Sequence, residues 1–291
     1  MMKGKWLFGA AVVLTVMVAC QMSQRHMEAP EEAEESDFEE VPDSFFCASD
    51  TLPMDEELAA EPLPVTVDEL FDDFVFLFDQ SNRIQRQRIL FPLVITEADG
   101  ETHTMTRKDW EHRSLFLGQD FCTVLWSSRH QMAMAEDSTI SQACVEQIYL
   151  HSRQIETYRF ERDSMTGQWM LVAQYEEPFE QCDLQDFLDF YRQFATDSIY
   201  QRSHLKNPLR FTMTDENLED GTIAGTIDAD QWFEFAPDIP QDVITNIRYG
   251  QSYRAHNHIL MQLRGINNGL QNIFSFSRDD NGRWRLTAFE N

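Results

Sequence analysis

The chain has 291 residues, 42% of them hydrophobic, with 23 basic residues against 50 acidic ones and a formal charge of −27. That is apolar content enough for a real core, and length enough for one large or two small domains. The charge excludes a nucleic-acid partner, because phosphate binding needs a cationic stripe, and it argues against lying on anionic lipid through basic residues.

Lys3 and Lys5 precede an apolar run from Trp6 to Ala19 that stops at Cys20. A cationic start, an apolar stretch below spanning length and a small residue before the cut predict a secretory signal peptide over 1–19. Val16-Met17-Val18-Ala19-Cys20 resembles the lipobox of bacterial lipoproteins. The resemblance implies cleavage before Cys20 and lipidation of that residue, with several acyl chains giving a stable membrane anchor. Gln21 stands where the enteric sorting rule has an inner-membrane aspartate, so the expected address is the outer membrane, facing the periplasm or the surface. Residues 20–64 carry nine acids between Glu28 and Asp43 and five prolines, which predicts a self-repelling, disordered tether.

Folded structure is expected from residue 65. Thr66-Val67-Asp68-Glu69 has the form of a capping box, and Leu70, Phe71, Phe74, Leu77 and Phe78 follow at helical spacing. Asp99-Gly100 sits between short β-prone runs and predicts a hairpin. Strands are expected near Phe121–Trp126, Cys144–His151 and Thr157–Arg162, and a last one ends in Ala173. After a connector around Pro178, Asp183 is expected to cap a second helix bearing Leu184, Phe187, Phe190, Tyr191 and Phe194.

The second helix opens a second copy. Compared without gaps, 67–96 and 183–212 share nine identities in thirty positions, among them Phe71, Phe74 and Phe78. Near the other end, Arg162, Asp163, Gly167, Trp169, Leu171 and Ala173 return as Arg278, Asp279, Gly282, Trp284, Leu286 and Ala288. Such self-similarity marks duplicated units, here 65–176 and 183–291. Helices at the front and strands behind give an α+β class, with a long and a short helix on a curved, mainly antiparallel sheet in each unit. The Phe71/Phe74/Phe78 helix and the Asp163/Gly167/Trp169 hairpin, with their partners, resemble the nuclear transport factor 2-like (cystatin-like cone) fold. The whole chain resembles a family of Gram-negative envelope lipoproteins of unknown function. The resemblance implies a fold rather than an activity. Single copies of that fold often pair through their sheets, so an intramolecular pseudo-dimer of the two repeats is expected.

Five cysteines occur without a Cys-x-x-Cys pair. With Cys20 lipidated, Cys47, Cys122, Cys144 and Cys182 are left as buried thiols or as disulfides in any of three pairings. Tyr191 on the second apolar stripe is the one candidate catalytic group, set against the commoner core tyrosine with a single hydrogen-bond partner. His256 and His258 fall on one strand face at a spacing usable by a metal, with His151 as a possible third ligand, against the plainer reading of outward-facing histidines. Arg86 and Arg202 are expected to satisfy helix-terminal carbonyls, and Trp169 and Trp284 to be core. No phosphate loop, nucleophile elbow or zinc-protease motif is present, and no cofactor is indicated. The expected role is non-catalytic binding of an envelope ligand or protein. The alternatives are an isomerase- or dehydratase-type enzyme using a polar group inside one cone, and a structural spacer.

Overall fold

The computed structural model describes residues 65–214, 221–253 and 257–291. The signal peptide, the tether, Cys20, Cys47 and His256 lie outside the described residues. From Glu61 onward the chain is one compact unit.

The N-terminal half runs α1 (Phe71–Gln80), α2 (Asn82–Gln87), β1 (Ile89–Thr96), β2 (Thr102–Met105), β3 (Phe121–Trp126), β4 (Gln142–Tyr149), β5 (Gln154–Arg162) and β6 (Trp169–Pro178). The C-terminal half runs α3 (Gln185–Thr196), α4 (Ser198–Ser203), β7 (Leu205–Thr214), β8 (Thr222–Ile227), α5 (Ala229–Phe235), β9 (Val243–Arg248), β10 (His258–Gly265), β11 (Gln271–Arg278) and β12 (Trp284–Glu290). Helices precede strands in both, so the α+β expectation holds. All twelve strands join one sheet in the order β2-β1-β6-β5-β4-β9-β3-β10-β11-β12-β7-β8.

That order exchanges strands between the halves. β4 pairs antiparallel with β9 from Cys144↔Arg248 to Tyr149↔Val243. β10 likewise pairs with β3 from Leu260↔Trp126 to Gly265↔Phe121. Each half therefore holds the other's third strand, and β3 meets β9 in a parallel contact at Thr123↔Asn246. Outside this crossing the pairings match: β1 lies antiparallel to β2 and parallel to β6, as β7 does to β8 and β12. Both β1 and β7 carry a cis proline, Pro92 and Pro208.

Neighbouring residues on a strand point to opposite faces, and the two cores use that alternation. Phe71, Phe74 and Phe78 of α1 bury against Val145, Phe160 and Trp169 on one face. Phe187, Phe190 and Phe194 of α3 bury with Ile148, Phe276 and Trp284 on the other. Edge-on contacts lock both sets, with Phe71 5.0 Å from Trp169 and Phe187 5.2 Å from Trp284. The space between each long helix and the sheet is thus taken up by interlocked rings, a packing that aromatic quadrupoles favour.

Two helix starts differ from the sequence reading. Val65–Asp68 is a 3-10 turn, and α1 begins at Phe71 behind Leu70 with no side-chain cap. The Asp68 carboxylate is committed elsewhere: it takes a bidentate pair from Arg88, at 2.8 and 2.9 Å, and the Trp169 N–H at 3.0 Å. Likewise α3 begins at Gln185 behind Leu184 rather than at Asp183. The expected strands and the Asp99-Gly100 hairpin are present, with Thr96 opposite Thr102.

Candidate ligand groove

Each helical layer covers only its own half of the sheet, which leaves one face of each half open. The registers place Thr226, Arg210, Ala288, Ser275 and Leu260 side by side across β8, β7, β12, β11 and β10. Small residues in the middle of this row leave a hollow. The result is a groove of about 630 Å³ bordered by Arg129, Arg210, Thr212, His258, Ser277 and Glu290. A second hollow of about 450 Å³ continues it through Lys206, Arg285 and Thr287.

The groove is polar and partly pre-paired. His258 Nδ1 lies 2.8 Å from Ser277 Oγ, its cross-strand partner. Burial, and then the nearby Arg129 guanidinium, hold the imidazole below its ordinary pKa. Arg129 pairs with Glu290, and Arg285 donates to Asp279 at 2.9 Å. Arg210 and Lys206 have no carboxylate partner among the described residues, and both are exposed. The Thr287 hydroxyl donates to Ser275 O at 2.9 Å.

The same row in the N-terminal half is built by the same registers: Thr104, Val94, Ala173, Arg159 and Cys144. Its chemistry differs. Leu90 and Val94 stand where the other half has Lys206 and Arg210, and they are 57% and 41% exposed. Leu90, Met170 and Val172 line a hollow of about 500 Å³ there, together with polar groups that include Glu161, Arg162, Asp163 and Gln168. One backbone plan thus carries Leu90 and Val94 in one half and Lys206 and Arg210 in the other, where the carboxylates of Asp279, Asp280 and Glu290 also line the hollows.

The residues singled out from sequence fall in separate places. Tyr191 is fully buried, which pushes its pKa up, and its hydroxyl donates to Pro240 O at 3.0 Å. His258 lies in the groove at the start of β10. His151 lies at the far end of the strands, beside the start of β9, with Nε2 3.0 Å from Asp242. The two are not brought together, and the described residues contain no cluster of three metal-ligating side chains. Arg86 donates to Trp110 O at 3.0 Å in the loop after β2, and Arg202 pairs with Asp230 on α5. Neither caps its own helix, because the following loop or helix supplies a nearer acceptor. Arg162 and Arg278 instead lie over the Trp169 and Trp284 rings, at 4.9 and 4.8 Å. Asp163 and Asp279 accept backbone N–H groups within their turns, which close at Gly167 and Gly282 with φ of 73° and 75°. Trp169 and Trp284 are core, and Cys122, Cys144 and Cys182 are free thiols.

Sequence reasoning missed two buried polar groups and the groove itself. Glu146 is held between Arg248 at 2.8 Å and Asn246 at 2.7 Å. Asp72 takes the Tyr249 hydroxyl and Arg264, joining α1 to β9 and β10. Both link the halves, so neither is visible without the strand exchange. A signal for the groove did exist: comparing the two halves of the sequence sets Leu90 against Lys206, Val94 against Arg210 and Val172 against Thr287.

A solved NTF2-like protein from Bacteroides fragilis NCTC 9343 matches this chain with a TM-score of 0.72 and 38% identity, over 79% of this chain and 98% of that one. None of the curated proteins matches. The family model described as a domain of unknown function, DUF4348, matches residues 49–291. The chain has an NTF2-like fold and belongs to the DUF4348 family.

Proposed function

We propose that this protein is a lipid-anchored binding module of the cell envelope, built from two intertwined NTF2-like repeats and without catalytic activity. The observation that carries the reading is where space is found. The cone interiors, where an enzyme on this fold would need its acid or base, are filled by the Phe71 and Phe187 ring clusters. Open, partly polar volume lies instead on the outer face of the C-terminal half. Tyr191 hydrogen-bonds a backbone carbonyl inside the core, which supports a packing role. The matching helix-to-strand order and equivalent registers support the duplication, and the continuous sheet through β9 and β3 supports an internal pseudo-dimer. The anchor rests on Lys3, Lys5, the apolar run and Cys20. No helix among the described residues is long and apolar enough to cross a membrane.

A thermal-shift screen of envelope metabolites against the whole chain and a Thr226→Trp variant tests the binding site. Thr226 is exposed on β8 beside Arg210, so an indole there fills the groove without disturbing the core. Ligands that stabilise the parent and not the variant support the reading. Ligands that stabilise both equally place binding elsewhere. Metabolic labelling with an alkyne fatty acid, present in the parent and absent in Cys20→Ser, is the expected result for the anchor.

A further inference from the structure

The groove invites a chemical question: what would occupy a site with these groups? We propose that it takes a small hydroxylated anion, a sugar carrying a carboxylate or a phosphate. The inference rests on the groove being a ligand site and adds the class of ligand.

Charge is the first argument. In a chain with 50 acidic and 23 basic residues, a guanidinium or ammonium readily finds a carboxylate. Around this groove Arg129, Arg278 and Arg285 do so, with Glu290, Asp186 and Asp279. Arg210 and Lys206 do not, among the described residues, although both border the connected hollows. They lie four residues apart on β7, on either side of cis Pro208 and within the bulge against β12, and both border the hollow that Ser277 and Thr287 share with the main groove. Two unpaired cations bordering one hollow leave room for an anion, which Arg can hold through a bidentate pair.

Hydroxyls are the second argument. Thr212, Thr226, Ser277 and Thr287 surround the two cations. Such groups both donate and accept, as sugar hydroxyls require. Thr212 and Thr226 have threonine counterparts in the N-terminal half, Thr96 and Thr104, whereas Ser277 and Thr287 stand where that half has Glu161 and Val172. The strand plan accepts Leu90, Val94 and Val172 where the groove has Lys206, Arg210 and Thr287, so these three polar residues mark the difference in use.

Size and net charge narrow the class. A groove of about 630 Å³ falls within the roughly 300–1,000 Å³ range of small-molecule sites. A long polyanion would have to approach a molecule of net charge −27, which repels it at range. A compact sugar with one anionic group meets the local cations at a smaller cost, because it carries only about one or two charges.

Calorimetry and ligand-observed NMR on the whole chain test this with four probes: glucuronate, glucose 6-phosphate, inorganic phosphate and glucose. Both charged sugars are expected to bind, glucose at least about tenfold more weakly, and an Arg210→Gln/Lys206→Gln variant to lose about tenfold or more, the scale of a charge-assisted hydrogen bond. Both positions are exposed, so that variant and Thr226→Trp should keep the parent melting temperature. Equal binding of glucose, or unchanged affinity in the double variant, overturns the anionic class. Inorganic phosphate binding as tightly as glucose 6-phosphate overturns the sugar. Thr226→Trp separates this idea from the one beneath it. If the double variant binds normally and Thr226→Trp does not, the groove stands as a ligand site and only the charge assignment falls. If none of the probes binds while thermal-shift hits still vanish in Thr226→Trp, the ligand class alone is wrong. Binding that survives Thr226→Trp removes the groove itself.

Discussion

Exchange of β3 and β9 makes a sharp prediction about cooperativity. Phe78→Ala removes a fully buried ring that lies 5.6 Å from Phe74 and 5.2 Å edge-on to Phe160, all within the N-terminal half. Deleting such a ring costs about 3–5 kcal/mol, against a total stability of roughly 5–15 kcal/mol for a folded domain. If the halves were independent, this loss would lower one unfolding transition and leave the other alone. The ladder forbids that. When the N-terminal half opens, β9 loses β4 along its whole paired length and Ile247 and Tyr249 lose their core. β3, freed with its own half, then abandons β10 and leaves it an edge strand. The C-terminal half cannot survive intact without β3, so both halves should unfold in one step. Urea titration followed by circular dichroism, and by tryptophan fluorescence, to which Trp110, Trp126 and Trp169 in one half and Trp232 and Trp284 in the other contribute, should show a single transition. Its midpoint should fall, and thermal unfolding should drop by about 6–20 °C, since each 1 kcal/mol is worth about 2–4 °C at this size. Two transitions, with only one displaced by Phe78→Ala, would refute the reasoning.

Other expectations follow from single sites. Asp68→Asn breaks a buried pair whose side chains are 11% and 6% exposed and leaves Arg88 uncompensated, so it should cost about 3–5 kcal/mol in urea midpoint analysis. Burial pushes the Cys122, Cys144 and Cys182 thiols up to about 12. At pH 8 such a thiol is ~10⁻⁴ ionised, so in a Cys20→Ser/Cys47→Ser chain these three should react with a disulfide reagent only after urea unfolding. His258 has its folded pKa lowered from 6.5 by burial and Arg129, so the unfolded chain takes up the proton first. The stability tied to it is complete above about 6.5 and lost as pH falls below that value. His258→Asn should therefore flatten the urea midpoint between pH 7 and 5, and an identical profile would count against the assignment.

Much of the architecture could be read from residue order because its causes are local. Phe71, Phe74 and Phe78 repeat at helical spacing, Asp99-Gly100 demands a tight turn, and Trp169-x-Leu171 alternates like a strand. The proposed duplication rests on the same local signals, which recur in both halves of the sequence. The strand exchange was not legible, because β3 pairs with β10 or with β4 equally well on hydrophobic pattern alone. Only the three-dimensional register decides between them. The helix starts went astray through competition: Asp68 has a better partner in Arg88 and the Trp169 N–H than in the first turn of a helix. The groove left only an indirect trace, the contrast of Lys206 and Arg210 with Leu90 and Val94, for a further reason. Its members come from alternate positions of five strands, and no linear motif joins Arg210, Ser275 and His258.

The exchange also bears on why the outer faces, rather than the cones, should carry function. Strands that cross between halves are committed on both sides, so the centre of the sheet is fixed by Glu146 with Arg248 and by Asp72 with Tyr249 and Arg264. A change inside either cone disturbs rings packed to interior density, where even one methylene is felt. The residues at Leu90, Val94, Lys206 and Arg210 meet solvent, and substitutions there usually alter stability by no more than about 0.5 kcal/mol. Under these constraints, substitutions are cheap only where the sheet is open. That is where the two halves differ most: apolar at Leu90 and Val94, cationic at Lys206 and Arg210, on backbones paired in the same registers.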